Sequence, residues 1–534
     1  MCSWARFIVG CLTLACAGAS AAWAQCQLAS FVAPDGAAGD RFGRAVAVGD
    51  RRVLSGAIFD DATGDNSGSA WLFEITGSSV GTRIVPGDSG GLFGRSVALE
   101  RDLAIVGACA PRAYLFAPTE TGWTQFATLE PWDGHLTSQY GWSVALVTDT
   151  LVVGAPEDSN ENGGGAGSAY VFERDPNGVW LQSAKLLASD GGGGDALGTS
   201  VAIHDDLIVA GAPEDDPLGF ASGSAYVFER DPNGAWIETA KLLPSDHGFI
   251  DQFGGAVAVQ DQTVLVGAHR APDADEPTGA VYIFEPDAQG QWVEIQKLTP
   301  PEGENSDYFG VSVALDGDLA VVGAENYGGT FFGYGAAFVY HRQPDRTWRL
   351  VGTLMADDPQ DGAEFGRSVA LSGNLAVVGA PFHDVVDSDG NTQVDAGAAY
   401  VFAVGPDRDE NGVMDVCECR AAVEGVGAAS GDDQSRDNQS RHDQSRDRQG
   451  AVSGRQSDAA DGFVGNPDLN LDQRVGMGDL LILLTNFGHD RDNPPAGHSP
   501  PHAALHEYGD LDLDQDIDLA DLALMLAAYD RACE

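Results

Sequence analysis

A dipeptide of an aromatic residue or leucine followed by glycine recurs seven times: Phe42-Gly43, Phe93-Gly94, Tyr140-Gly141, Leu197-Gly198, Phe253-Gly254, Phe309-Gly310 and Phe365-Gly366. Each is followed, fourteen residues after its first member, by Gly-Ala, at Gly56, Gly107, Gly154, Gly211, Gly267, Gly323 and Gly379. The copies lie 51, 47, 57, 56, 56 and 56 residues apart. A chain repeating at this period builds its core by stacking similar units, each too small to bury its apolar face alone. Between the anchors the residues alternate and then run apolar, as in Ser368-Val369-Ala370-Leu371, a turn at Ser372-Gly373-Asn374, then Leu375-Ala376-Val377-Val378. That is the period of a β-hairpin. A third strand is expected at segments such as Ala169-Tyr170-Val171-Phe172 and Ala399-Tyr400-Val401-Phe402. A fourth, carrying Trp180, Trp236, Trp292 or Trp348, follows turns such as Asp175-Pro176-Asn177-Gly178. Four antiparallel strands per repeat make one propeller blade, so the expected fold is an all-β seven-bladed β-propeller.

A ring of blades needs a seam, and the sequence shows one. The seventh repeat stops at Phe402 without a Trp-bearing strand, while Gln27-Leu28-Ala29-Ser30-Phe31-Val32 near the N-terminus is an orphan fourth strand. The orphan is expected to complete blade seven. The phenylalanine anchors are expected to pack between adjacent blades, and the anchor glycines to allow positive φ or close backbone approach.

These motifs resemble the FG-GAP repeats of the integrin α-subunit propeller and of many exported bacterial proteins, over roughly Gln25 to Val404. The resemblance implies a binding or adhesion module, in a family where enzymes are the minority. Departures are the missing proline after Gly56-Ala57, Gly107-Ala108 and Gly267-Ala268, and a short second-blade loop from Gly107 to Ala113. The resemblance also implies calcium in the loop after Gly-Ala-Pro. In blade seven, Asp387, Asp389, Asn391 and Asp395 fall at the ligand positions, although the glycine stands fourth; the alternative is a polar loop. Blade three offers a weaker set, Asp158, Asn160 and Asn162.

Downstream, Asp407, Asp409, Asn411, Asp415 and Glu418 have the oxygen spacing of an EF-hand-type loop, with Gly412 at the sharp turn. A solvated acidic turn is the other reading. Residues 420–461 lose their aromatics and repeat Asp-Gln-Ser-Arg units, the composition of a flexible linker. Two acidic loops then each lead into an apolar helix, 42 residues apart: Asp468, Asn470, Asp472 and Asp479 before Leu480–Leu484, and Asp510, Asp512, Asp514, Asp518 and Asp521 before Leu522–Leu526. Residues 462–534 therefore resemble a type I dockerin, a small α-helical calcium-binding module, which implies calcium as cofactor and a cohesin-type or envelope partner. Gln473 and Gln515 stand where glycine is usual, and the two helices packing on each other as a terminal tag is the alternative.

The expected organisation is a signal peptide at 1–24, propeller at 25–404, EF-hand-like loop at 405–419, linker at 420–461 and dockerin-like domain at 462–534. Arg6, the apolar run Phe7–Ala17 and Ala22-Trp23-Ala24 form the leader pattern, implying a secreted or surface-attached protein with no transmembrane segment. Cys26, Cys109, Cys417, Cys419 and Cys533 remain after cleavage, an odd number, and a bond from Cys26 to Cys417 or Cys419 would tie the seam. A formal charge of −51, with only three lysines, excludes a phosphate-binding basic surface and hence nucleic acid. No zinc-hydrolase His-Glu-x-x-His, nucleophile elbow or phosphate loop is present, so no catalytic residue is assigned. The expected function is an exported, calcium-dependent binding or adhesion protein presenting a protein or polysaccharide ligand site on its propeller. A dockerin-bearing polysaccharide lyase or glycoside hydrolase is the alternative, because paired carboxylates can come from distant parts of a fold.

Overall fold

The computed structural model describes residues 22–407, apart from 76–80, 89–90, 110–111, 121, 135–137, 247, 273–277, 302–305, 329–332 and 388, with side chains from 26 to 405. These residues form seven four-stranded antiparallel sheets. Blade one, for example, runs through Phe42–Gly49, Arg52–Ala57, Ser69–Glu74 and Thr82–Ile84, and blade four through Ser200–His204, Leu207–Ala212, Ser224–Arg230 and Trp236–Leu242. The first strands of neighbouring blades touch one another all the way round, so they line the axis and the fourth strands lie outermost.

The seam closes as the orphan strand requires. Ala22–Phe31 pairs antiparallel with Ala398–Asp407, the third strand of blade seven, with Gln27 opposite Phe402 and Phe31 opposite Ala399. Residues 22–24 of the expected leader extend this strand. Cys26, within it, is disulfide-bonded to a partner outside the described residues, while Cys109 is a free thiol.

The fourteen-residue spacing has a geometric cause. In five blades the first anchor glycine donates its N–H to the carbonyl of the second, as Gly366 does to Gly379 at 3.1 Å, while in blade one the Gly43 N–H goes to the Ser55 hydroxyl at 3.0 Å. Between blades, the second glycine lies against the first glycine of the next blade: a Cβ on Gly379 would stand 2.0 Å from the Gly43 carbonyl oxygen, and one on Gly56 2.0 Å from that of Gly94. Gly43 itself has φ 87°, a conformation that L side chains rarely adopt. The carbonyl of Gly43 then accepts the Ser368 hydroxyl from blade seven at 2.9 Å. Each pair of glycines thus seats one blade edge directly on its neighbour.

Around this backbone joint sits the apolar anchor. Phe42, Phe93, Phe253 and Phe309 are fully buried. Phe253 packs in one cluster with Val209, Val227 and Leu242 of blade four and Val264, Val266 and Tyr282 of blade five. The interblade core is therefore shared, and no blade is complete alone. Removing one such ring costs about 3–5 kcal/mol. Blade three places Tyr140 at this position, and its buried hydroxyl has no hydrogen-bond partner among the described residues.

Candidate functional site

In each antiparallel blade, the loop from second to third strand and the link into the next blade leave the same edge. They gather on one face of the ring, where parallel bridges such as Gly223 to Phe253 and Gly397 to Phe42 join one blade's loop to the next blade's anchor. A repeated polar latch fixes these loops. In blade four, the Tyr226 hydroxyl lies 2.9 Å from Asp190 Oδ1 and 3.0 Å from Asp215 Oδ2, and Lys241 Nζ lies 2.8 Å from both carboxylates. Blade three repeats it with Tyr170, Lys185, Asp133 and Asp158; Lys185 Nζ is 2.5 Å from Asp133 and 2.8 Å from the fully buried Asp158. Burial works against the charge on Lys185, but its hydrogen bonds to Asp133 and Asp158 outweigh it and raise its pKa.

Blade five keeps Tyr282, Lys297 and Asp246, at 2.8 and 2.7 Å, but Ala271 stands where blades three and four have Asp158 and Asp215. Blade one substitutes Arg83, 2.5 Å from the buried Asp60 and 2.7 Å from Asp35. In blade seven Tyr400 bonds Asp358 at 2.9 Å and His383 takes the cation's place. Burial lowers the pKa of His383, against the pull of Asp358 and Asp384, so the ring is held neutral. All three lysines of the chain are spent this way. Sequence reasoning left them without a role, although each stands five residues after a fourth-strand tryptophan.

The latched loops carry exposed apolar side chains. Phe220 and Phe249, from the loops flanking the joint of blades four and five, are 59% and 70% exposed with ring centroids 5.6 Å apart. Near blade seven, Tyr334, Val386 and Val394 border an open hollow of about 670 Å³ together with Asp384 and Asp395.

The expected calcium loop of blade seven is a small hairpin, Val385–Val386 against Thr392–Gln393. Asp387 caps its turn: Oδ1 accepts the N–H of Asp389 at 3.0 Å and of Asn391 at 2.8 Å, and Oδ2 accepts the Gln393 amide at 2.8 Å. These bonds, led by that from the Asn391 backbone, hold the Asp387 carboxyl below the usual carboxylate range. The N–H of Asp395 goes to Asp384 at 3.0 Å. As it stands, the donor set does not fit a cation, because Asp387 is committed to the loop itself. In blade three Asp158 faces Lys185, whose ammonium stands where a cation would. Among the described residues no group of three or more His, Cys, Asp or Glu is placed to hold a metal ion, and no helix is long and apolar enough to cross a membrane. The Asp407 side chain, Asp409, Asn411, Asp415, Glu418, Asp468, Asn470, Asp472, Asp479, Asp510, Asp512, Asp514, Asp518 and Asp521 lie outside the described residues.

The FG-GAP repeat family model matches residues 25–73, 123–172, 180–228, 236–284, 292–340 and 348–402, more than half of the chain. The chain belongs to the FG-GAP repeat family. The longest gap between these matches, 74–122, contains Phe93-Gly94 and the short second-blade loop, although its four strands form a sheet like the others. No curated protein matches the sequence. A solved chain in a structure titled "Crystal Structure of Mitotic Checkpoint Complex" is similar at 11% identity and a TM-score of 0.45, covering 76% of this chain and 99% of that one. That likeness is too loose to bear on function. FG-GAP propellers are of a ligand-binding type and typically non-enzymatic.

Proposed function

We propose that this FG-GAP protein is an exported binding or adhesion protein whose loop face takes a protein or polysaccharide ligand and whose C-terminal module anchors it through calcium. The observation that carries the reading is the Phe220 and Phe249 pair, held out to solvent on loops whose neighbours are pinned by the Lys241 latch. Exposed aromatic rings on a rigid frame lose little conformational freedom on binding and bury much apolar surface. Calcium belongs, in this reading, to the EF-hand-spaced loops at 407–418, 468–479 and 510–521, whose side-chain oxygens recur at the spacing of a hard cation's donor set, with Gly412 at the turn of the first. A cation in the blade-seven hairpin would first have to displace the bonds that Asp387 makes to its own turn. Secretion and a cohesin-type or envelope partner for residues 462–534 rest on the leader pattern and on the dockerin-like repeat.

Incubation of the full chain with a panel of acidic and neutral polysaccharides and matrix proteins tests the propeller half. Saturable retention without new reducing ends or unsaturated products is expected. Turnover would replace the binding role with the carbohydrate-active alternative. A pull-down from secreted and envelope fractions, in calcium and in chelator, tests the anchor, and capture indifferent to chelation would remove calcium from the account.

A further inference from the structure

The residue after each anchor glycine stands at the head of the axial strand, within it or just before it: Arg44, Arg95, Trp142, Thr199, Gly255, Val311 and Arg367. Ring closure makes blades seven, one and two neighbours, so the three arginines converge on one side of the axial mouth, at a cavity of about 440 Å³. In a chain of formal charge −51 this is an unusual concentration of positive charge. Its neutralisation is incomplete. Arg367 pairs with Glu325 at 2.5 Å. Arg95 lies 3.6 Å above the Trp142 ring and beside the Cys109 thiol, whose pKa burial raises. Arg44 has no ion pair among the described residues. Burial, and then repulsion by Arg367 and Arg95, pushes the Arg44 pKa well down; burial pushes that of Arg95 down to about 10. A guanidinium does not give up its proton in a protein, so the direction reports positive charge waiting for a counter-charge.

The other groups at the mouth narrow the ligand. Glu364, its pKa raised by burial and by Glu325, is felt by both Arg367 and Arg44. His269 lines the same cavity; burial, with repulsion from Arg270 and Arg367, lowers its pKa to about 4, so it is neutral near pH 7. Glu157 and Glu214, from blades three and four, border the same cavity, each held by a glutamine amide, from Gln139 at 2.6 Å and Gln252 at 2.8 Å. A polyanion would meet these two carboxylates and the acidic surface beyond, and be repelled.

We propose that the axial mouth is a binding site for a compact hydroxy acid, its carboxylate seated between Arg44, Arg95 and Arg367 and its hydroxyls donating to Glu157 and Glu214. The fork of an arginine matches a planar carboxylate in two parallel hydrogen bonds, and three forks around one cavity leave room for a single acid group. A uronic acid has this pattern of one carboxylate and several hydroxyls, whether it arrives as a free sugar acid or as the end of a glycan. The site rests on the reading of the loop face as the ligand face, and adds to it a ligand class.

The test is calorimetric titration of the full chain with glucuronate, acetate, galactose and a glucuronate-terminated oligosaccharide at constant ionic strength. Saturable binding of glucuronate, weaker binding of acetate and none of galactose is expected; a stronger signal from the oligosaccharide assigns the glycan end as the source. R44Q and R95Q should each weaken glucuronate by about tenfold or more. Because the arginines repel one another, ligand-free R44Q should melt no lower than the native chain. Binding unchanged in both variants, or no binding of any carboxylate together with a lower melting temperature for R44Q, would show that the arginines only hold the channel and would overturn the proposal. The titration needs no macromolecular partner, so failure to find one for the loop face is a separate result.

Discussion

Replacing Lys185 by methionine should cost far more than the same change at Lys297, although the two lysines occupy equivalent positions two blades apart. The Lys185 side chain is 16% exposed and bridges Asp133 to Asp158, which has no exposure at all. In K185M, Asp158 keeps hydrogen bonds such as that from the Ser168 hydroxyl but loses the ammonium that balances its buried charge. Breaking a buried pair from one side costs about 3–5 kcal/mol. Lys297 meets Asp246, which is 58% exposed, and the Pro272 carbonyl, with Ala271 in place of a buried aspartate, so K297M should cost only about 1 kcal/mol. The K185M penalty should also depend on pH. Burial penalises the charged carboxylate and not the neutral acid, so the variant loses least at acid pH and most at pH 7. For the native chain the sign is opposite and alkaline. The raised pKa values of Lys185 and Lys241 give stability that is full below about 10.4, the unfolded lysine value, and lost as pH climbs through the folded one. Urea unfolding of K185M, K297M and the native chain at pH 4 and 7 measures all of this. Equal losses for the two variants, or a K185M loss that does not vary with pH, would refute the argument that buried Asp158 makes the latch strong.

Other substitutions probe the ring. Y140F removes a buried hydroxyl without a partner among the described residues and leaves the phenyl ring that five of the other six anchors have; it should raise stability by about 1 kcal/mol, read from the same urea curves. G379A places a Cβ 2.0 Å from the Gly43 carbonyl across the joint of blades seven and one, and should destabilise by about 3 kcal/mol or more. G39A, with φ 88° and open space around it, should cost only about 1 kcal/mol, and thermal melts of the two should rank them so. Since the pKa of His383 is lowered by burial, the unfolded chain takes up its proton first. Stability should fall as pH drops through about 6.5, and H383Q should flatten that limb of the melting profile.

The ring was legible because its cause is local and repeated. Phe42 through Phe365 recur at a fixed offset from Gly56 through Gly379, and the orphan strand at Gln27 has one vacant edge to fill. The latches were not, because Lys185 meets Asp133 across 52 residues and Asp158 across 27, and no local pattern marks that convergence. The arginine cluster hid for a related reason: Arg44 and Arg367 are neighbours only once the seam is closed. Asp387 shows where spacing is ambiguous. Oxygens at alternate positions suit a calcium loop, but they equally suit an aspartate that caps a turn with N–H bonds from two and four residues on, as Asp175 and Asp231 do in their turns.

The most direct measurement of the ligand-face account is a comparison of two full-length variants on the polysaccharide and matrix-protein panel: F220S/F249S, altered on the loop face, and I237S, altered at an exposed position of the outermost strand of blade four. The account predicts that the double variant folds normally and loses binding while I237S binds like the native chain. Native binding by F220S/F249S, or its loss in I237S, would contradict it.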